Sequence, residues 1–314
     1  MAGSRILGQA LYCDAPFGHH RCRSNVKRKS FRRLLDADGP LILPGAHDAL
    51  AARLIRQAGF EGFFIGGFGV AGARYGVPDL GLKSLGDISR AVRDILAACD
   101  LPVLVDADDG YGDVKNVVHT VHTYEAMGVG ALFLEDQRWP KRCGHLQGKS
   151  VVPVEEHEAK IRAAAAERMD PDTFIIARTD ARSVTGLDDA MRRAERYLRA
   201  GADCIFIEAL RTVEELERVG KAFKLQVANP LAGGISPILR PEEYYRLGFK
   251  ILPYGIDLIL RVTRAMQLAL EDMRSGRFEL MASGASLEEY LSVVGFDEWS
   301  RIESRYGAAG QDSK

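Results

Sequence analysis

The sequence predicts an α/β fold, a (β/α)8 TIM barrel with additional C-terminal helices, and two observations carry that prediction. Eight short apolar runs recur from Leu41 onward, separated by amphipathic helical segments. Nearly every run ends in polar or glycine residues that a core would not select. Continuous apolar strands alternating with helices indicate a parallel sheet covered on both faces. Eight such units close into a barrel, and 314 residues fit one large barrel of this kind.

The runs are Leu41–Ala46, Phe60–Gly66, Leu101–Asp108, Ala131–Asp136, Thr173–Thr179, Cys204–Ala209, Leu225–Asn229 and Phe249–Gly255. The segments predicted as helices are Asp48–Gln57, Ser84–Ala98, Val114–Met127, Val154–Arg168, Leu187–Ala200, Thr212–Phe223 and Pro241–Leu247. Gly59, Gly128 and Gly201 stop helices just before strands, as C-terminal caps do. Asp48 suits a helix N-cap, and Asp180 offers the same. A long helix follows the last strand at Ile256–Ser275. Ser286-Leu-Glu-Glu289 reads as a capping box that opens a further helix. Leu287, Tyr290, Leu291 and Val294 fall on one face of it, to be buried on the barrel or on a neighbouring subunit. The expected organisation is a flexible extension at 1–26, the barrel at 27–280, a C-terminal helical segment at 281–306 and a disordered tail at 307–314. Within the extension, Cys13, His19, His20 and Cys22 match no standard zinc spacing.

Composition excludes several classes. Hydrophobic residues make up 46% of the chain, ordinary for a soluble protein. A formal net charge of −1 offers no basic face for nucleic acid. No apolar run reaches the length needed to cross a bilayer, and the N-terminus lacks a continuous apolar signal segment. Five scattered cysteines, an odd number, argue against a disulfide framework and for a reducing cytoplasm.

The run ends converge on one mouth of a barrel, where barrel enzymes keep their chemistry. Asp106 and Asp108, two apart at the end of the third run, are expected on one face. Paired carboxylates repel unless a cation joins them. With Glu135 they make an all-oxygen site suited to Mg2+, with Mn2+ as a substitute. Asp79, in Gly76-Val-Pro78-Asp79-Leu-Gly81, is a further acid within reach of the mouth. Arg178 is placed to hold a substrate carboxylate, its alternative being a salt bridge with Glu208 or Glu135. Asn229 offers an amide to another oxygen. In Gly66-Gly67-Phe68-Gly69 the glycines let backbone N–H groups approach an anion. Lys141-Arg142-Cys143-Gly144-His145 follows Glu135 closely and reads as a mobile acid–base lid. The adjacent Lys141, Arg142 and His145 are expected to hold the Cys143 thiol near its ionisation point.

These motifs, in this order at these strand ends, resemble the isocitrate lyase / phosphoenolpyruvate mutase superfamily across about residues 40–275, most nearly its short-chain lyase branch of methylisocitrate and 2,3-dimethylmalate lyases. The resemblance implies Mg2+ held largely through water by Asp79, Asp106, Asp108 and Glu135, with Cys143 as catalytic acid on a gating loop. It implies a homotetramer in which a C-terminal helix swaps between paired subunits. The implied reaction cleaves a 2-hydroxy di- or tricarboxylate to pyruvate or glyoxylate and a carboxylic acid. The alternatives are an oxaloacetate hydrolase or decarboxylase, a phosphonopyruvate-type mutase, or a barrel that binds such anions without turnover. The chain departs from methylisocitrate lyases in Phe64 for Tyr, Gly66 for Ser and Phe68 for a smaller residue. Ala232 stands where many relatives carry Glu, and Asp109 replaces an apolar residue.

Overall fold

Strands β1 (Leu41–Pro44), β2 (Phe63–Ile65), β3 (Val103–Asp106), β4 (Ala131–Glu135), β5 (Phe174–Thr179), β6 (Cys204–Ile207) and β7 (Ile251–Tyr254) form the wall of the barrel in a computed structural model. It describes residues 30–231 and 233–307. The expected extension with its cysteines and histidines, Ala232, and residues 308–314 of the expected tail lie outside the described residues. All ladders are parallel: β2 to β6 pair in sequence order, and β1 pairs with β7. Single bridges close the circle, Gly45 to Phe64 on one side, Gln226 to Ile205 and Val227 to Ile251 on the other.

The predicted seventh strand, Leu225–Asn229, is therefore corrected to two bridging residues. The run is short, carries the polar Gln226, and ends at Pro230, which has no N–H with which to extend a ladder. Gln226 is fully buried and donates its side-chain amide to Phe223 O at 3.2 Å.

Alternation along the strands sorts their apolar residues between the barrel interior and the face beneath the helices. Leu43, Phe64, Leu104, Phe133, Ile176 and Phe206 belong to one cluster, plugged below by Phe31 of α1 (Phe31–Leu34). Phe64 stacks on Phe133 at 5.8 Å and Phe133 meets Phe206 edge-on at 5.7 Å. Phe63, Ile65, Val103, Val105, Leu132 and Leu134 belong to the outer cluster, beneath α2 (Ala49–Gln57), α4 (Leu85–Ala98), α5 (Val114–Ala126) and α6 (Val154–Glu167). The helices α8 (Leu187–Arg199), α9 (Val213–Ala222) and α10 (Pro241–Arg246) complete the ring. Asp48 caps α2 by accepting from Ala51 N at 2.7 Å.

The helix that follows β2 was not expected. α3 (Gly67–Tyr75) begins inside the glycine-rich motif, with Gly67, Gly69, Val70 and Ala71 buried. A short helix, α7 (Ala181–Val184), follows β5; Asp180 precedes it without making a side-chain cap bond.

Past β7 the long helix is α11 (Asp257–Arg274), in which Asp272 is the buried residue while Leu260, Met266, Leu268, Leu270 and Met273 stand exposed. α12 (Leu287–Val294) opens with the expected capping box at Ser286 and lies on α2, where Arg53 donates to Val293 O at 3.3 Å. α13 (Phe296–Tyr306) ends the described chain. No helix among the described residues is long and apolar enough to cross a membrane.

Closure depends on a glycine. A Cβ at Gly45 would lie 2.2 Å from the carbonyl oxygen of Gly255, and backbone cannot yield as a flexible side chain does. Gly45→Ala is expected to cost about 1–3 kcal/mol or more through overpacking, read as a lowered midpoint in urea denaturation.

Candidate active site

At the C-terminal end of the strands, Asp79, Asp106, Glu135, Lys141, Cys143 and Arg178 line one cavity of about 60 Å³. Gly66, Phe68, Arg142, His145, Glu208 and Asn229 line it as well. Of the residues expected at the site, Gly67 and Asp108 are the two outside this lining; they sit directly behind Lys141. β3 ends at Asp106, and Asp108 takes a left-handed φ of 47°, so the two-residue alternation expected of them no longer applies. Asp106 instead accepts from Asp108 N at 2.9 Å and from Gly67 N at 3.4 Å. The glycine-rich turn thus gives an N–H to the protein's own carboxylate.

The Lys141 ammonium lies among these acids, 2.6 Å from Asp108 Oδ1 and 2.7 Å from Asp79 Oδ1. Burial opposes its charge, but the facing carboxylates of Asp108 and Asp79 raise its pKa well above the ordinary lysine value. One ammonium does not neutralise the group. Burial pushes Asp108 up to about 7 in spite of Lys141. Glu135 is likewise raised by burial, and its Oε1 is buried without a hydrogen-bond partner. A buried carboxylate short of positive charge is the environment that a divalent cation relieves. Among the described residues no three His, Cys, Asp or Glu side chains converge closely enough to ligate a metal directly. The oxygen donors of Asp79, Asp106, Asp108 and Glu135 fit a hard divalent ion by their chemistry. Asp109 is occupied elsewhere, paired with Lys160 at 3.3 Å.

Arg178 lies across the cavity. Its Nε and Nη2 donate to Asp180 at 2.9 and 3.2 Å, and Nη2 stands 3.4 Å from both Glu135 and Glu208. The salt bridges weighed as its alternative role are thus present, with Asp180 added. Burial disfavours the Asp180 carboxylate, yet Arg178 and Lys149 hold its pKa down to about 2. Asp180 is accordingly an anchor for cations, not the helix cap its position suggested. Beneath it, Asp136 accepts from Thr179 Oγ1, Asp180 N, Tyr197 Oη and Arg193 Nη1 at 2.7–3.1 Å. That network fixes the end of β5.

The lid leaves the barrel through a narrow neck. Gln137 bridges Val151, and Arg138 N donates to Ser150 O at 2.8 Å. Gly144 presses onto the cavity: a Cβ there would fall 2.5 Å from Arg178 Nη2 and 2.6 Å from Glu208 Cγ. His145 accepts at Nδ1 from Ile235 N at 3.1 Å, so its proton sits on Nε2, which faces Glu208 Oε1 at 3.3 Å. Burial lowers the His145 pKa and favours the neutral ring. Burial also raises the Cys143 thiol above its ordinary value. This corrects the expectation of a thiol near ionisation. Lys141 is committed to carboxylates, burial favours neutral His145 and Arg142 is exposed, so desolvation decides.

Leu231, Pro253 and Ile256 as cavity walls, and Lys149 as the partner of Asp180, were not among the expected site residues. Pro253 lies within β7, and Leu231 and Ile256 follow predicted strand ends that could have flagged them; a lysine after a glycine carries no comparable signal.

Fold and site define a barrel enzyme with acids, a guanidinium and a protonated thiol around one small cavity. The family described as Phosphoenolpyruvate phosphomutase matches residues 31–274. A 2,3-dimethylmalate lyase of Eubacterium barkeri is 37% identical, covering 88% of this chain and 96% of its own. The chloroplastic carboxyvinyl-carboxyphosphonate phosphorylmutase of Arabidopsis thaliana is 38% identical over 88% of this chain and 84% of its own. An oxaloacetate acetylhydrolase structure with 3,3-difluorooxalacetate superposes with a TM-score of 0.85 at 30% identity, covering 90% of this chain and 98% of that one. The chain belongs to the phosphoenolpyruvate mutase / isocitrate lyase superfamily.

Proposed function

We propose that this enzyme is a Mg2+-dependent carbon–carbon lyase. It cleaves a 2-hydroxy di- or tricarboxylate to a 2-oxo acid, pyruvate or glyoxylate, and a carboxylic acid. The observation that carries this reading is the half-buried Cys143 side chain in one cavity with Asp79, Asp106 and Glu135, where burial raises its thiol above the ordinary value. The carboxylates would hold the ion through water; when bound it supplies positive charge to the substrate's hydroxyl and carboxylate oxygens. Arg178, aimed by Asp180, grips a substrate carboxylate. The substrate's hydroxyl proton passes to a cavity carboxylate, the C2–O bond becomes the carbonyl of the 2-oxo acid, and cleavage of C2–C3 leaves its electron pair beside the second carboxylate. Cys143 delivers its proton there, and the closed lid keeps water away. Phe64, Phe68, Leu231 and Ile256 offer apolar wall to a substituent on C3.

The exposed apolar side chains of α11 and of the tail helix α12 support self-association, a second copy covering them in a homotetramer in which a C-terminal helix swaps between paired subunits. The free cysteines Cys99, Cys143 and Cys204 suit a cytoplasmic setting.

A lactate-dehydrogenase-coupled assay over a panel of alkyl-substituted malates and tricarboxylates tests the reaction. The expected result is 2-oxo acid release with Mg2+, loss with EDTA and recovery when Mg2+ is restored. Oxalate release from oxaloacetate, with no turnover of any hydroxy acid, overturns it in favour of hydrolysis.

A further inference from the structure

Two side chains hold the peptides on either side of Cys143. Gln137 is buried at the lid neck, and its amide bonds both backbone groups of Arg142. Its Nε2 donates to Arg142 O at 2.8 Å, and its Oε1 accepts from Arg142 N at 3.0 Å. On the far side, Lys149 Nζ donates to Gly144 O and to Asp180 Oδ1, the latter at 2.7 Å. The side chains of Lys149 and Asp180 are 2% and 0% exposed, so this ion pair is shielded from water and from salt. Asp180 is held in turn by Arg178 and by the Asp136 network. The same carboxylate thus orients the cavity's guanidinium and, through Lys149, the peptide next to the thiol.

We propose that Gln137 and Lys149 are positioning residues that clamp the Arg142–Gly144 segment and so hold the Cys143 thiol over the cavity. Neither touches the reacting atoms. Their contribution to the reaction rests on the lyase reading above, but the clamp itself does not. Holding a proton donor in place acts on the transition state more than on substrate binding. Loosening it therefore lowers kcat with little change in KM.

The test uses the full chain and the buried cysteines as internal controls. Iodoacetamide labelling at each cysteine is followed by peptide mass spectrometry in the wild type and in Lys149→Met, Gln137→Leu and Lys149→Arg. Labelling of Cys143 is expected to quicken about tenfold in Lys149→Met and in Gln137→Leu, the loss of one strong hydrogen bond from the closed lid. Cys99 and Cys204 remain protected. Lys149→Arg, which keeps the charge, recovers part of the protection and part of kcat. Unchanged Cys143 labelling in both disruptive variants overturns the clamp. So does a parallel rise at Cys204, which reports loosening of the whole fold. Faster labelling at Cys143 alone, in a protein with no lyase turnover, keeps the clamp and removes the proposed reaction.

Discussion

Cys143→Ser is expected to lower kcat by roughly 10²–10⁴, the usual contribution of a positioned general acid, while the affinity for oxalate in the presence of Mg2+ stays close to that of the wild type. The substitution keeps the shape of the side chain and replaces a thiol by a far weaker acid. Burial already raises the thiol, so in the wild type it carries a proton at neutral pH, which is the form that protonation requires. A serine hydroxyl in the same place holds its proton too tightly to release it to carbon. The coupled assay measures kcat, and calorimetric titration with oxalate measures binding. Wild-type turnover in Cys143→Ser would move the acid to another residue and remove the lid from the chemistry.

Arg178→Met is expected to cost about 3–5 kcal/mol of stability, as breaking a buried ion pair from one side does, and to abolish turnover. The guanidinium faces Asp180, Glu135 and Glu208, whose side chains are almost fully buried. Removing it takes the guanidinium from all three; Asp180 keeps Lys149 and Glu208 keeps Ala209 N and Asn229, whereas Glu135 loses its ion-pair partner. It also packs over the rings of Phe133 and Phe206 at 5.6 and 5.2 Å, so the methionine replaces only the apolar part of its contact. Urea denaturation at neutral pH measures the loss. A midpoint equal to that of the wild type would show that the acids find other partners and that Arg178 is not the keystone of the mouth.

The barrel was legible because its strands are buried on both faces and read as plain apolar runs, and because polar strand ends cannot be explained by packing. The same reasoning located Asp106, Glu135, Arg178, Glu208 and the lid, all of which line the cavity. It missed α3, since a run with glycines at 66, 67, 69 and 72 has poor helix propensity. Tertiary packing overrides that preference: a Cβ at Gly69 would come within 3.2 Å of His47 Cβ. It misjudged Cys143 because neighbouring cations in the sequence say nothing of burial, and here desolvation outweighs them. It placed Asp108 beside Asp106 by strand alternation, which ends where β3 ends. The Lys141 contacts to Asp79 and Asp108 join three segments far apart in the chain, and no local pattern encodes them.

The barrel wall is continuous over five strands, yet β1 and β7 form a separate leaf that isolated bridges tack to the rest at each margin. Pro253, Gly255 and Ile256 ride on that leaf, opposite the aromatic floor of Phe133 and Phe206. A wall tacked at its margins yields sideways more readily than a full ladder does. The chamber can therefore widen along one flank to suit a bulkier acid while the thiol and its opposing charges keep their places.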